Sequence, residues 1–219
     1  MFFKKCNYFV IILLLIVLSG CCQYKIVNPF EYGKLENNIY ENTYFKIKVK
    51  IPDTWVIQSK EKIENLSRQG SELAAGSNKN LKEKIKAAEN NSSSLLAVFK
   101  YEIGASVDFN PSIILISENI SYFPGIRSGA DYLLQAKKLL RQSQIKMEFE
   151  QEEDFPMRKI GNRDFYYINV KADNQGNQIK QVYYSRVVGK FCLNLIVSYL
   201  TEAQKAEIEQ TLNEIEFYE

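Results

Sequence analysis

The chain contains no histidine among its 219 residues. Histidine is the usual general base near neutral pH, so its absence excludes Ser-His-Asp and Cys-His catalysis. The same absence removes the imidazole ligands on which ordinary catalytic zinc sites depend. The sequence also lacks a glycine-rich phosphate loop, a paired-cysteine metal motif and a nucleophile elbow. We therefore expect a non-catalytic protein with no cofactor and no bound metal.

An excess of either charge is also missing. The chain has 28 Lys+Arg and 26 Asp+Glu, and 46% of its residues are hydrophobic. Lys4 and Lys5 are the only charged residues before position 21, so the rest of the chain is neutral. A neutral chain has no global field with which to hold a phosphate backbone, and no nucleic-acid partner is expected. The apolar content is sufficient for a globular core.

The first residues have the features of an export signal. Lys4 and Lys5 precede an uncharged apolar run at 8–18, which is shorter than the roughly 20 residues of a membrane span. Leu18-Ser19-Gly20-Cys21 resembles the lipobox of bacterial lipoproteins. The resemblance implies cleavage after residue 20 and a diacylglycerol on the Cys21 thiol. A plain signal peptide or an uncleaved anchor is the alternative. The expected location is the cell envelope, with the protein anchored in the membrane by lipid and facing the periplasm or the cell exterior.

Two further cysteines stay in the mature chain, Cys22 and Cys192. A disulfide between them is an alternative in an oxidising compartment. Cys192 lies in an apolar strand pattern, however, where a lone cysteine is usually a small core residue. We therefore favour a free, buried Cys192.

Residues 21–42 are polar and irregular, and they predict a lipidated N-terminus and tether. Residues 43–219 are expected to form a single domain. Apolar residues alternate with lysines along 45–51, which predicts a half-buried strand with its lysines in water, although a patch for anionic lipid is the alternative.

Trp55 is interpreted as a structural residue that fills space in the core or at the end of a strand. Residues 59–91 are rich in Lys, Glu, Ala and Asn, and they predict an inserted pair of amphipathic helices over a sheet, or a mobile insertion.

The second half of the chain is richer in strand signals. Ser128 to Gln142 predicts a helix, and Thr201 with Gln204 predicts a capping box for a last helix, followed by a short strand. The other predicted strands are 95–101, 112–117, 163–172, 178–188 and a central strand at 191–198, with a turn at 173–177 that makes a hairpin of two of them. The acidic segment 148–154 is interpreted as a solvated edge. A calcium site is the alternative, but the glycine-spaced ligand pattern is missing.

Two tyrosine pairs lie on the predicted hairpin, Tyr166-Tyr167 and Tyr183-Tyr184. Neighbouring residues of a strand face opposite sides, so one ring of each pair is expected in the core. The other two rings are candidates for an exposed protein-contact patch, because tyrosine is common at binding hot spots. The alternative is a cross-strand aromatic pair that stabilises the sheet.

The order of elements resembles the PsbP-like group, which also includes Mog proteins and DcrB-type lipoproteins. The resemblance is carried by residues 45–55 (FKIKVKIPDTW), by Asn110-Pro111 before a strand, by 178–198 and by 199–217. It implies an α+β fold with a mostly antiparallel central sheet and helices packed on its faces, an α/β/α sandwich. It also implies a protein that binds other proteins or supports membrane complexes, without catalytic residues.

Three functions follow in order of preference. The first is a lipid-anchored binding or scaffolding module for an envelope protein or membrane complex. The second is a small-molecule or metal-binding lipoprotein, which requires a concave apolar pocket with converging polar groups. The third is a carboxylate-based hydrolase of envelope polymers, which requires two carboxylates at glycosidase spacing in one cleft.

Overall fold

A computed structural model describes residues 30–174 and 177–219. Within them the helices are α1 (Lys60–Ala75), α2 (Lys79–Asn91), α3 (Gly129–Leu140) and α4 (Glu202–Asn213). The strands are β1 (Lys34–Glu36), β2 (Ile39–Asn42), β3 (Ile47–Lys50), β4 (Val56–Ile57), β5 (Ser92–Phe99), β6 (Ser112–Asn119), β7 (Met147–Phe149), β8 (Met157–Ile160), β9 (Arg163–Asn174), β10 (Asn177–Val188), β11 (Phe191–Tyr199) and β12 (Ile215–Phe217). No helix in these ranges combines the length and the apolar character needed to cross a bilayer.

The strands form two sheets. The main sheet has the order β4-β5-β6-β11-β10-β9-β7, with β8 paired to β9, and the small sheet has the order β1-β2-β3-β12. Neighbouring strands in both sheets run antiparallel. The α+β class and the antiparallel central sheet are thereby confirmed, and β11 takes the predicted central place. The small sheet is an addition that the predicted single sheet did not include.

The front face of the main sheet, which carries Leu115, Leu193 and Leu195, holds the largest core. The small sheet and α4 cover it, and their side chains pack into the same cluster. Trp55 is 7% exposed and belongs to this core, as expected. The alternation along β3 is also confirmed, because Ile47 and Val49 are buried while the intervening lysines are not.

The back face of the main sheet, which carries Ile114, Ile168 and Ile196, is covered mainly by helices, and the loop residue Phe155 joins the cluster there. Helix α3 packs over β9 and β10, and Leu133 joins Ile168 in a separate cluster. Helix α1 places Ile63 against the far side of the same face, near β5. The predicted helix pair of 59–91 is therefore formed as α1 and α2, lying over the sheet.

Helix α3 begins at a complete capping box. The Ser128 hydroxyl oxygen accepts from the Asp131 amide at 3.1 Å, and the Asp131 carboxylate accepts from the Ser128 amide at 2.9 Å. Hydrogen bonds of this kind satisfy orphan amides and fix where a helix starts. The next residue, Gly129, lies so close to β10 that an added Cβ would be 2.0 Å from the Ser185 carbonyl oxygen. The start of α3 can approach the sheet only because this residue has no side chain.

The predicted tether is shorter than expected. Residues 34–42 form β1 and β2 of the small sheet, and Tyr40 and Asn42 are 3% and 0% exposed. The buried Asn42 amide donates to the Glu31 carbonyl at 2.8 Å, so its polarity is satisfied. Asn37 and Asn38 both have positive φ at the turn between the strands, a conformation that asparagine tolerates well. The assignment of 30–42 to a tether was therefore wrong, because this segment belongs to the domain.

The acidic segment after α3 is held by a buried lysine. Lys137 is 2% exposed, and its ammonium donates to the carbonyls of Gln151 and Glu152 at 2.6 and 2.9 Å and to the Glu152 carboxylate at 2.8 Å. Arg141 also donates to that carboxylate, at 2.8 Å. Two cationic side chains thus already bind this carboxylate, so it is not free to bind calcium. The segment is a latch that ties β7 to α3.

Candidate functional site

The four tyrosines do not form the exposed patch considered above. Tyr167 and Tyr184 lie on the front face, in register across the hairpin, with ring centroids 5.7 Å apart. Tyr166 and Tyr183 lie on the back face and pack against the cluster under α3. Burial raises the pKa of Tyr183 to about 12. None of the four residues is exposed, and Tyr167 with Tyr184 makes the cross-strand aromatic pair that was the alternative to a contact patch.

The lipid-attachment residue Cys21 lies outside the described residues, as does Cys22. Cys192 is described: it is free, 0% exposed, and lies on the back face of β11. Burial raises the pKa of its thiol well above the ordinary value, and the nearby Glu118 adds to that shift. Cys192 is therefore an inert core residue, in line with the interpretation of its strand pattern.

A cleft opens on the back face between α2, α3 and the loop after β6. Its volume is about 660 Å³, within the range of small-molecule sites. Most of its wall is made of the apolar parts of helix and loop side chains, and one carboxylate lies among them. The lining residues are Lys84, Ala87, Ala88, Glu118, Tyr122, Phe123, Pro124, Gly125, Ile126, Tyr132, Gln135, Ala136, Lys138, Leu139 and Gln142.

Glu118 and Tyr132 are the polar groups at the sheet end of this cleft. The Tyr132 hydroxyl donates to Glu118 Oε2 at 2.6 Å, which joins α3 to the end of β6. Burial raises the pKa of Glu118, and this hydrogen bond opposes part of the shift. Burial and the adjacent Glu118 carboxylate raise the pKa of Tyr132 well above its ordinary value, so its hydroxyl stays protonated and acts as a donor.

The polar pair is continuous with a buried network behind it. Asn194 Oδ1 accepts from the Ser185 hydroxyl at 2.6 Å and from the Cys192 thiol at 3.4 Å. These side chains are fully or almost fully buried between β10, β11 and α3. Buried polar groups that bond one another hold their positions firmly. Tyr132 and Glu118 are therefore set on a rigid base rather than on a mobile loop.

Two contacts close the cleft at the far end of the helices. Lys84 Nζ donates to Gln142 Oε1 at 3.1 Å, from α2 to the segment just after α3. The Gln144 amide donates to the Ala74 carbonyl at 2.9 Å, which fixes the end of α1 to the same segment. These two contacts tie the helix pair α1 and α2 to the segment that follows α3.

A second cavity of about 690 Å³ lies under α1 on the same face. Its floor contains Ile114, Ile116 and Ile196, which are half-buried, although they lie on the covered face of a central strand pair. Along β6, residues 114, 116 and 118 point to the same side, so this cavity and the cleft follow one another along one strand. The helix pair therefore leaves a space between itself and these apolar side chains of the sheet.

The lining of the cleft limits the chemistry available there. Glu118 is the only carboxylate among the lining residues, whereas glycosidases need a pair of carboxyl groups within about 10 Å of one another. Within 30–174 and 177–219, no group of three or more Cys, Asp or Glu side chains is placed to hold a metal ion. The arrangement can accept a hydrogen bond or a positive charge at its floor and can cover an apolar body.

Neither Glu118 nor Tyr132 was selected from the sequence. One feature of the sequence pointed to Glu118. The alternation of β6 places it on the same face as Ile114 and Ile116, and a carboxylate on an apolar face is costly unless it has a partner or a function. The partner could not be foreseen, because Tyr132 reaches that carboxylate only through the packing of α3.

Comparison with protein-family models and with curated proteins gave no match. Among solved structures, LpqN of Mycobacterium tuberculosis, described as involved in cell envelope biogenesis, is 14% identical with a TM-score of 0.43, over 79% of this chain and 83% of LpqN. A protein of Bacteroides thetaiotaomicron is 12% identical with a TM-score of 0.41, over 80% of this chain and 46% of its own length. The cyanobacterial PsbP of Synechocystis is 9% identical with a TM-score of 0.46, over 82% of this chain and 91% of PsbP. One of these three proteins, PsbP, belongs to the group that the sequence resembles.

Proposed function

We propose that the chain is a non-catalytic, lipid-anchored binding module of the cell envelope, and that the cleft between α2 and α3 is its ligand site. The lipobox-like Leu18 to Cys21 supports the anchor. The observation that carries the binding function is the cleft itself, an apolar space of about 660 Å³ around a single half-buried carboxylate. Concave apolar sites with a few fixed polar groups are the usual form of small-molecule sites.

The chemistry of the floor defines the class of ligand. Glu118 accepts a hydrogen bond from Tyr132, and no lysine or arginine of the described residues forms an ion pair with it. A ligand with a hydrogen-bond donor or a positive charge therefore gains a partner there, whereas an anionic group at the same point is repelled. The best match is an apolar molecule with an N–H, hydroxyl or ammonium group at one end.

A fluorescent probe tests this site directly. N-phenyl-1-naphthylamine is a neutral apolar fluorophore with one N–H donor, and its emission rises in apolar surroundings. We expect the full chain to enhance its emission in a saturable way. The Ala136→Trp variant fills the cleft from α3 and should abolish the saturable signal. The matched control is Ala206→Trp, an exposed position on α4 at the opposite side of the main sheet, which should leave binding unchanged.

A charge variant separates the cleft from non-specific binding. Glu118→Gln keeps the shape of the floor but removes its charge, so binding of a cationic amphiphile such as dodecylamine should weaken more than binding of the neutral probe. Equal binding by the wild type and the Ala136→Trp variant, with both folded by circular dichroism, would remove the cleft as the ligand site.

A protein partner is the second candidate, and an exposed strand edge favours it. Strand β1 forms the outer edge of the small sheet, all of its residues are exposed, and Leu35 is 46% exposed. An open edge can accept a strand from another protein. Crosslinking in native membranes followed by affinity purification, with Cys21→Ala as the control, tests this candidate. A dominant partner that is lost when Leu35 is replaced by proline would support it.

A further inference from the structure

The described chain begins at one end of the domain, in a cluster of aromatic rings. The Phe30 ring stacks on Phe191 with centroids 4.8 Å apart and meets Tyr44 edge-on at 5.8 Å. Phe191 starts β11 and pairs with Asn119, the last residue of β6. Phe30, the first described residue, therefore lies at the end of the main sheet where β6 finishes.

A loop with exposed aromatic side chains lies at this same end. We call residues 121–126 the aromatic loop. Tyr122 is 81% exposed and Phe123 is 42% exposed. The loop is not loose, because Ile120 donates to the Lys190 carbonyl at 2.9 Å, and the amides of Phe123 and Ile126 each donate three residues back, at 2.9 Å. The backbone hydrogen bonds of this turn thus fix two aromatic side chains in a solvent-exposed position.

The charged side chains that flank the aromatic loop are positive. Arg127 follows the loop and Lys190 faces it across the hydrogen bond to Ile120, and both side chains are exposed. The carboxylates nearest to the loop in the sequence are already bonded: Asp131 caps α3, and Glu118 accepts from Tyr132 in the cleft. Exposed aromatic rings beside basic side chains are the composition that favours the interface of a bilayer with anionic lipid.

The spacing in the sequence restricts where this end can be. From Cys21 to Phe30 the chain has nine residues, which span at most about 32 Å even when fully extended. A lipid on Cys21 therefore keeps Phe30 within about 32 Å of the membrane surface. The aromatic loop lies at that end, and its residues 122–126 also line the cleft.

We propose that the aromatic loop contacts the surface of the lipid bilayer, so that the mouth of the cleft opens at the lipid–water interface. The proposal rests on the lipid anchor of the proposed function. It adds a membrane-contacting surface and gives the ligand a route, because an apolar molecule dissolved in the bilayer would enter the cleft past Tyr122 and Phe123 without crossing water.

Tryptophan fluorescence in vesicles tests the contact. The lipidated full chain is reconstituted into vesicles of phosphatidylcholine and phosphatidylglycerol, with or without bromine near the headgroup end of the acyl chains. Bromine quenches tryptophan only at close range. The Tyr122→Trp variant should lose emission in the brominated vesicles. The control is Val107→Trp, which is 41% exposed in the loop before β6, about 23 Å away along that strand.

Flotation of the same vesicles separates the two proposals. The wild type, whose single tryptophan is the buried Trp55, gives the reference level of quenching. If the protein floats and only Tyr122→Trp is quenched more than the wild type, the loop contact is supported. If the protein floats and the two variants are quenched equally or not at all, the loop contact is overturned and the anchor stands. If the protein does not float, the anchor fails and the loop contact fails with it.

Discussion

Lys137 offers a stringent test of the packing of α3. Its ammonium is buried and donates to two backbone carbonyls and one carboxylate of the latch that follows β7. In the Lys137→Met variant the apolar stem is largely kept, but the carbonyl oxygens of Gln151 and Glu152 lose their donor. A buried acceptor without a partner costs about 1–3 kcal/mol. The Glu152 side chain is exposed, so we assign its ion pair no part of the expected loss.

The expected loss of unfolding free energy is therefore about 3 kcal/mol, which corresponds to roughly 6–12 °C in melting temperature for a domain of this size. Urea unfolding followed by circular dichroism measures it. The matched control is Lys138→Met, the exposed neighbour on the same helix, which should change stability by less than about 0.5 kcal/mol. If the two variants differ by less than about 1 kcal/mol, Lys137 does not hold the latch in solution.

Three further predictions address the cleft, the docking of α3 and the end of β8. Burial raises the pKa of Glu118 above its ordinary 4.5, so the stability of the wild type falls as pH rises through the folded-state pKa. Glu118→Gln should therefore have a higher melting temperature than the wild type at pH 8, and this difference should shrink toward pH 4. A difference in melting temperature that does not depend on pH would contradict this. Gly129→Ala places a methyl group against the Ser185 carbonyl and should cost about 1–3 kcal/mol in urea unfolding; a neutral result would show that α3 can move away. Arg158 and Glu209 form a half-buried bidentate pair between β8 and α4, so a double-mutant cycle with alanine should give a coupling of about 1 kcal/mol, and a value near zero would mean that the pair is not formed.

Local patterns in the sequence predicted most individual elements. Alternation gave β3 and the β9–β10 hairpin, since residues that pack on one side recur at every second position. The Thr201–Gln204 capping box marked the start of α4, because its hydrogen bonds are local in sequence. Such features depend on neighbours a few residues apart, and a single chain reveals them without an alignment.

Features that depend on contacts between distant elements were missed. β1 and β2 hold only one well-buried apolar residue, Tyr40, so the sequence has no apolar pattern there that predicts the small sheet. The Asn37-Asn38 pair does indicate a turn between them. The alternation of the tyrosines was correct, but the sequence did not reveal that α3 and the small sheet cover opposite faces of their hairpin. The cleft depends on the meeting of Glu118 with Tyr132, which the packing of α3 alone determines.

Native mass spectrometry of the full chain, purified from the membranes of a bacterium that processes lipoproteins, tests the central claim about the cleft most directly. We predict that the wild type and the Ala206→Trp control retain a non-covalent small molecule, and that the Ala136→Trp variant, equally folded, has lost it. An empty wild type, or the same bound mass in the wild type and in Ala136→Trp, would contradict the assignment of the cleft as the ligand site.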